Sequence, residues 1–179
     1  MATALTGMSR ALLPNLLAME ENLGIVLIED HPLYREGLKF FLRANFPKSK
    51  IHYEGADVVA AREICASKKV AIAIVDLHLG DGRSPSEIVS MFTAVKIPVL
   101  VISALASFES VKAAFTMGAK GYIAKDSSTE EFKKAISAVA KGQEWISSVM
   151  NEGITFNQRT SDELSNQERK ALVLYASGL

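Results

Sequence analysis

The sequence predicts an α/β fold: a doubly wound parallel sheet of five strands with helices on both faces. Two observations carry that prediction. Val70 to Val75 are six consecutive small or β-branched apolar residues that run into one carboxylate, Asp76, as expected of a strand buried on both faces of a parallel sheet. Short apolar runs also alternate with helical-period stretches five times between residues 24 and 142, the pattern of repeated strand–helix units.

Residues 1–22 precede this pattern. Ala11–Met19 is weakly apolar but broken by Pro14, and it lacks the longer apolar core of a signal peptide. The segment reads as a flexible N-terminal extension, with Met8 and Met19 as alternative starts. Ile25–Ile28 is the first strand and ends in Glu29 and Asp30. Pro32 suits the first turn of a helix, on which Tyr34, Leu38, Phe41 and Leu42 share one face and which Pro47 ends. Ile51–Tyr53 is a short second strand. Asp57 can cap a second helix that buries Val58, Ala61, Ile64 and Cys65. The third strand ends at Asp76 and is followed by a loop through Gly80 and Gly82.

Ser84–Glu87 is a capping box with Pro85 at the first helical position; Ile88, Met91, Phe92 and Val95 follow at helical spacing. Pro98–Ile102 is the fourth strand, closing on Ser103 and Ala104. The fourth helix starts near Phe108 and stops at Gly118, a C′ glycine. Gly121–Ala124 is the fifth strand, ending in Lys125 and Asp126. Ser128–Glu131 is a second capping box, and its helix buries Phe132, Ala135, Ile136 and Val139 and ends near Gly142. The expected sheet domain is therefore 23–142. Residues 143–163 read as a linker, with Gln143–Ile146 able to pack back on the domain. Ser165–Glu168 is a third capping box, and Leu172, Tyr175, Ala176 and Leu179 form a stripe that needs a partner. The strand order 2-1-3-4-5, the flavodoxin-like arrangement, follows from the fold class and not from any single residue.

Composition narrows the function classes. Apolar residues make up 49% and charged residues 22% of the chain, an ordinary globular profile. Twenty basic and 20 acidic residues cancel, so there is no overall basic footprint for nucleic acid. The single cysteine, Cys65, cannot form an internal disulfide, and its helical pattern points to packing rather than reactivity. The apolar runs are far shorter than a membrane span. These features fit a cytoplasmic protein that does not engage a membrane.

The strand ends then matter together. Strand one delivers Glu29 and Asp30, strand three Asp76, strand four Ser103 and strand five Lys125. Taken singly these are helix caps, a turn opener, a strand-end hydroxyl and a surface amine. Converging on one sheet edge, three carboxylates repel one another unless a cation sits among them. An all-oxygen cluster suits a hard ion such as Mg²⁺. An amine and a hydroxyl beside it can hold the oxygens of a phosphoryl group, and a carboxylate so placed can act as a nucleophile. The residues suggest Mg²⁺-assisted phosphoryl transfer onto Asp76.

Residues 24–142 resemble a response-regulator receiver domain of bacterial two-component signalling. The matching stretches are Ile-Val-Leu-Ile-Glu29-Asp30-His, Ile-Val-Asp76-Leu-His-Leu, Val-Ile-Ser103-Ala104 and Gly-Tyr122-Ile-Ala-Lys125-Asp. The resemblance implies that Asp76 accepts a phosphoryl group from a histidine kinase. It implies that Asp30, Asp76 and the backbone carbonyl of His78 ligate Mg²⁺, with Glu29 acting through water. Lys125 would pair with the phosphoryl group, Ser103 would move to bond it, and Tyr122 would turn inward behind it. Such a domain is a phosphoacceptor that assists its own phosphorylation and dephosphorylation, not a dedicated enzyme, and a homodimer on phosphorylation is expected. Asp126 follows Lys125 where many receivers have proline, so the usual cis bond is not implied there. Gly80 replaces a common proline, so a looser loop is expected.

The tail resembles the start of a LuxR-type helix-turn-helix in Leu164–Glu168, Ala171, Leu172, Leu174, Ala176, Gly178 and Leu179. The implied parent is a transcription regulator, with 164–179 the incomplete start of its output domain, and DNA is expected to be bound only through the complete output domain. Other readings differ in identifiable residues. Aspartyl-phosphate hydrolases carry a second Asp two residues after the first, where this chain has His78. A flavin module needs a hydroxyl- and Gly-rich loop after strand one, where this chain has Asp30-His-Pro-Leu-Tyr-Arg. A phosphorylation-independent receiver-like binding module would not need the full acidic cluster, hydroxyl and lysine.

Overall fold

The computed structural model of the 179-residue chain describes residues 22–104 and 108–146. The chain divides into two units, Met1–Ser147 and Ser148–Leu179, and the described residues all lie in the first. The N-terminal extension up to residue 21, the linker beyond 146 and the helix expected from Ser165 lie outside the described residues.

Six strands and five helices alternate: β1 (Gly24–Ile28), α1 (Pro32–Asn45), β2 (Lys50–Gly55), α2 (Val58–Ser67), β3 (Ile72–Asp76), α3 (Pro85–Thr93), β4 (Val99–Ser103), α4 (Phe108–Thr116), β5 (Gly121–Ala124), α5 (Thr129–Ala140) and β6 (Trp145–Ile146). The strands form one sheet in the order β2-β1-β3-β4-β5-β6, parallel throughout. The order 2-1-3-4-5 is as the fold class implies. The sixth strand is not. Trp145 and Ile146 pair with Gly121 and Tyr122, so the sheet continues past the expected end at 142. Two residues cannot show an alternating pattern, which is why this strand reads as linker in the sequence.

The apolar runs behave as buried strands do. Every residue of β3, β4 and β5 is buried. Alternation divides the strands between two faces. Ile25, Leu27, Ile72, Ile74, Leu100, Ile102 and Ile123 pack with Leu38, Leu42 and Phe46 around α1 and with Phe132, Ala135, Ile136 and Val139 of α5. The opposite-facing strand residues pack with α2, α3 and α4, whose Val58, Ala61, Ile88, Val89, Phe92, Val111 and Ala114 are buried apart from that cluster.

Local chemistry places the helix ends. Asp57 accepts hydrogen bonds from the backbone N–H groups of Val59 (2.9 Å) and Ala60 (3.1 Å), and Ser84 and Ser128 each form reciprocal capping boxes with Glu87 and Glu131. Gly118, just past α4, has φ +93°, the left-handed turn that a C′ position needs. Two helix-face expectations change. Val89 is buried on α3, and Val95 lies beyond the helix. Cys65 is partly buried, and burial raises its thiol pKa, consistent with packing rather than nucleophilic chemistry.

Candidate functional site: the carboxyl edge of the sheet

Strand register assembles the site. Ile28 of β1 pairs with Val75 of β3, so Glu29 and Asp76 emerge side by side at the point where the strand order reverses. Asp76 pairs with Ile102, which brings Ser103 next to it. Ser103 pairs with Ala124, and the backbone N–H of Lys125 donates to the Ser103 carbonyl at 2.8 Å. Four strand ends thus converge where parallel α/β sheets take their ligands.

Glu29, Asp76 and Ser103 are the buried polar or charged residues among those described. Burying two carboxylates is costly unless they are paired. Lys125 is the pairing group: its Nζ lies 2.7 Å from Glu29 Oε2 and 2.8 Å from Asp76 Oδ2. Burial alone would lower the lysine pKa, but the hydrogen bonds and charges of Asp76 and Glu29 outweigh it and hold the ammonium above its ordinary value. Asp76 also accepts the His78 backbone N–H at 3.1 Å through Oδ1. The His78 side chain is largely exposed, with Nδ1 3.9 Å from the same oxygen. Arg35 fastens the end of β1 by donating from Nη1 to the Glu29 carbonyl at 2.8 Å.

Three carboxylates still outnumber one lysine. Glu29, Asp30, His31 and Asp76 each offer a ligand atom, and these atoms lie within 4.8 Å of one another. Glu29 Oε2 and Asp30 Oδ1 are buried without an aligned hydrogen bond. Glu29 Oε2 has Lys125 Nζ at 2.7 Å, and Asp30 Oδ1 has His31 Nδ1 at 2.8 Å. Under-satisfied oxygens in an acidic cluster fit a hard divalent cation such as Mg²⁺. Asp30, Asp76 and Glu29 are the residues that would hold it.

Tyr122 is fully buried. Burial is the main effect raising its phenol pKa; hydrogen bonds with the side chains of Ser103 and Ser110 oppose it, and the Asp76 charge adds to the rise. Tyr122 is packed inward and bonded to Ser103 in this structure. In the sequence Tyr34 reads as part of an apolar helix face, His31 follows the strand-end acids, and Ser110 carries no pattern of its own. In the structure His31 Nδ1 lies 2.9 Å from Glu29 Oε1, Tyr34 covers Lys125 at 4.5 Å from ring centroid to Nζ, and Ser110 joins α4 to Tyr122. An acid–acid–His run at a strand end was a readable signal for His31. Nothing local marks Tyr34 or Ser110.

This fold and edge define a class, the doubly wound parallel-sheet domains that carry an acidic cluster and a lysine at the carboxyl edge. Comparison with known proteins gives the family. The model of the response regulator receiver domain matches residues 25–137, and the chain belongs to that family. It is a signalling module of two-component response regulation rather than a dedicated enzyme. It is 29% identical over 167 residues to the Mycobacterium tuberculosis (strain CDC 1551 / Oshkosh) protein named "Probable transcriptional regulatory protein NarL", covering 88% of this chain and 76% of that one. It is 27% identical over 173 residues to the nitrate/nitrite response regulator protein NarL of Escherichia coli (strain K12), covering 91% and 79%. Among solved structures, a LuxR-family two-component response regulator from Aurantimonas sp. SI85-9A1 superposes with TM-score 0.70 at 25% identity, over 77% of this chain and 99% of that one.

Proposed function

We propose that Asp76 accepts a phosphoryl group from a phosphohistidine of a histidine kinase. A carboxylate oxygen of Asp76 attacks phosphorus, the phosphorus–nitrogen bond breaks, and the departing imidazole nitrogen is protonated. The observation that supports this most is the buried Glu29–Lys125–Asp76 contact at 2.7 and 2.8 Å. A purely structural strand end has no need of two buried carboxylates around one amine. Asp30, Asp76 and the His78 carbonyl would hold Mg²⁺, with Glu29 acting through water; when bound, the ion neutralises charge on the phosphoryl oxygens. Lys125 binds a phosphoryl oxygen, and the Ser103 hydroxyl donates to another. Attack of water on the acyl phosphate returns Asp76 and inorganic phosphate, so the domain takes part in its own resetting.

The presence of the whole set favours this over a phosphorylation-independent interaction module. Phosphorylation adds charge and acceptor oxygens at the sheet edge. Ser103 and Tyr122 carry that change to α4 and bias dimerisation, and through it the DNA-binding output of a cytoplasmic transcription regulator. Among the described residues no helix is long and apolar enough to cross a membrane.

The test is incubation with acetyl phosphate and Mg²⁺, read by intact mass. The wild-type chain gains one phosphoryl group, and Asp76→Asn, which keeps the shape but removes the nucleophile, gains none. Equal uptake by Asp76→Asn would refute the assignment.

A further inference from the structure

We infer that Tyr34 is a positioning residue for Lys125, holding its ammonium for the phosphoryl group; this deepens the phosphoacceptor reading and rests on it. Lys125 Nζ has Glu29 Oε2 and Asp76 Oδ2 at 2.7 and 2.8 Å, and the Tyr34 ring at 4.5 Å. The ring lies within cation–π range and shields the amine, whose side chain is 15% exposed. The Tyr34 hydroxyl reaches past the amine and donates to the Lys125 backbone carbonyl at 3.3 Å. One side chain from the first turn of α1 therefore touches both ends of Lys125, across 91 residues of sequence.

The aromatic contact matters most once the carboxylates change partners. If Glu29 and Asp76 turn toward a cation and phosphorus, Lys125 loses the two anions that aim it. The ring face does not compete for metal or phosphoryl oxygens, so it can keep the long lysine chain extended over the site. A free lysine side chain has many rotamers to lose on binding; a platform that removes them beforehand speeds attack without touching the phosphoryl group itself.

The experiment compares wild type, Tyr34→Phe and Tyr34→Leu as the full 179-residue chain, with acetyl phosphate and Mg²⁺. Tyr34→Phe keeps the ring and holds near the wild-type initial rate. Tyr34→Leu keeps an apolar filler, and its rate falls about three- to thirtyfold, the range a lost cation–π contact spans. In a Lys125→Met background, adding Tyr34→Leu changes nothing further, because no ammonium remains to position. A second readout needs no turnover: ring-current shifts of the Lys125 ε-methylene protons are present in wild type and Tyr34→Phe and absent in Tyr34→Leu. An unchanged rate in Tyr34→Leu, the same loss in the Lys125→Met background, or no ring-current shift in wild type overturns the inference alone. Absence of phosphoryl uptake by the wild-type chain overturns both this inference and the phosphoacceptor reading.

Discussion

At the residue scale, Ser103 shows how a small side chain can serve two partners. It is 1% exposed, its main-chain carbonyl anchors Lys125, and its hydroxyl is bonded to Tyr122. A phosphoryl group on neighbouring Asp76 is a stronger, charged acceptor for that hydroxyl than a phenol. On the proposed phosphorylation, movement of Ser103 toward that group would break its link to Tyr122 and leave Ser110 as the bond from Tyr122 to α4. Ser103→Ala should therefore take up phosphate within a few-fold of the wild-type rate, because nucleophile, lysine and acidic cluster are intact. Its phosphorylation-dependent response, measured as amide exchange over 108–122 or as a sizing shift, should be largely lost. A full response in the variant would place the switch elsewhere.

At the element scale, two glycines, one inside a helix and one at the start of a strand, carry opposite consequences. Gly37 lies in the middle of α1, exposed, and an added Cβ there meets nothing within 4 Å. Glycine in a helix interior costs backbone entropy that alanine does not, so Gly37→Ala should stabilise by about 0.5–1 kcal/mol. Gly121 opens β5, where β4, α5 and β6 close around it. A Cβ there would sit 2.6 Å from Val139 Cγ2, 2.8 Å from Leu100 Cδ1 and 3.3 Å from the Trp145 carbonyl oxygen. Gly121→Ala should destabilise by about 1–3 kcal/mol as those neighbours are displaced. Chemical denaturation of both variants measures the pair; equal signs would contradict the packing described around β5.

At the scale of the whole molecule, the domain carries a charge imbalance at one edge that folding itself enforces. The register of β1 on β3 sets Glu29 and Asp30 against Asp76, and one lysine does not balance three carboxylates. A cation that binds the folded edge and not the open chain stabilises the fold by mass action. At a hundredfold excess over its Kd, Mg²⁺ should add about 2.7 kcal/mol and raise Tm by about 5–10 °C. Asp30→Ala removes a carboxylate from the cluster and should abolish most of that rise. A thermal scan with and without Mg²⁺ decides it: no rise in wild type, or the same rise in Asp30→Ala, would argue against a metal at this edge.

The sequence by itself determined the strand–helix alternation, the helix caps at Asp57, Ser84 and Ser128, and the strand-end residues Glu29, Asp30, Asp76, Ser103 and Lys125. These are local signals: an apolar run, a capping side chain and a polar residue at the end of a strand each act within a few neighbours in the chain. Tertiary structure alone decided the rest. The ring of Tyr34 over Lys125, the Ser110 link to Tyr122 and the pairing of Trp145 with Gly121 join residues distant in sequence or elements too short to carry a period. The difference between Gly37 and Gly121 is of the same kind, because free space around a Cβ belongs to the elements packed against it. A helical period places Tyr34 on the buried side of α1, but only the docking of α1 against the end of β5 makes that buried side the neighbour of an ammonium.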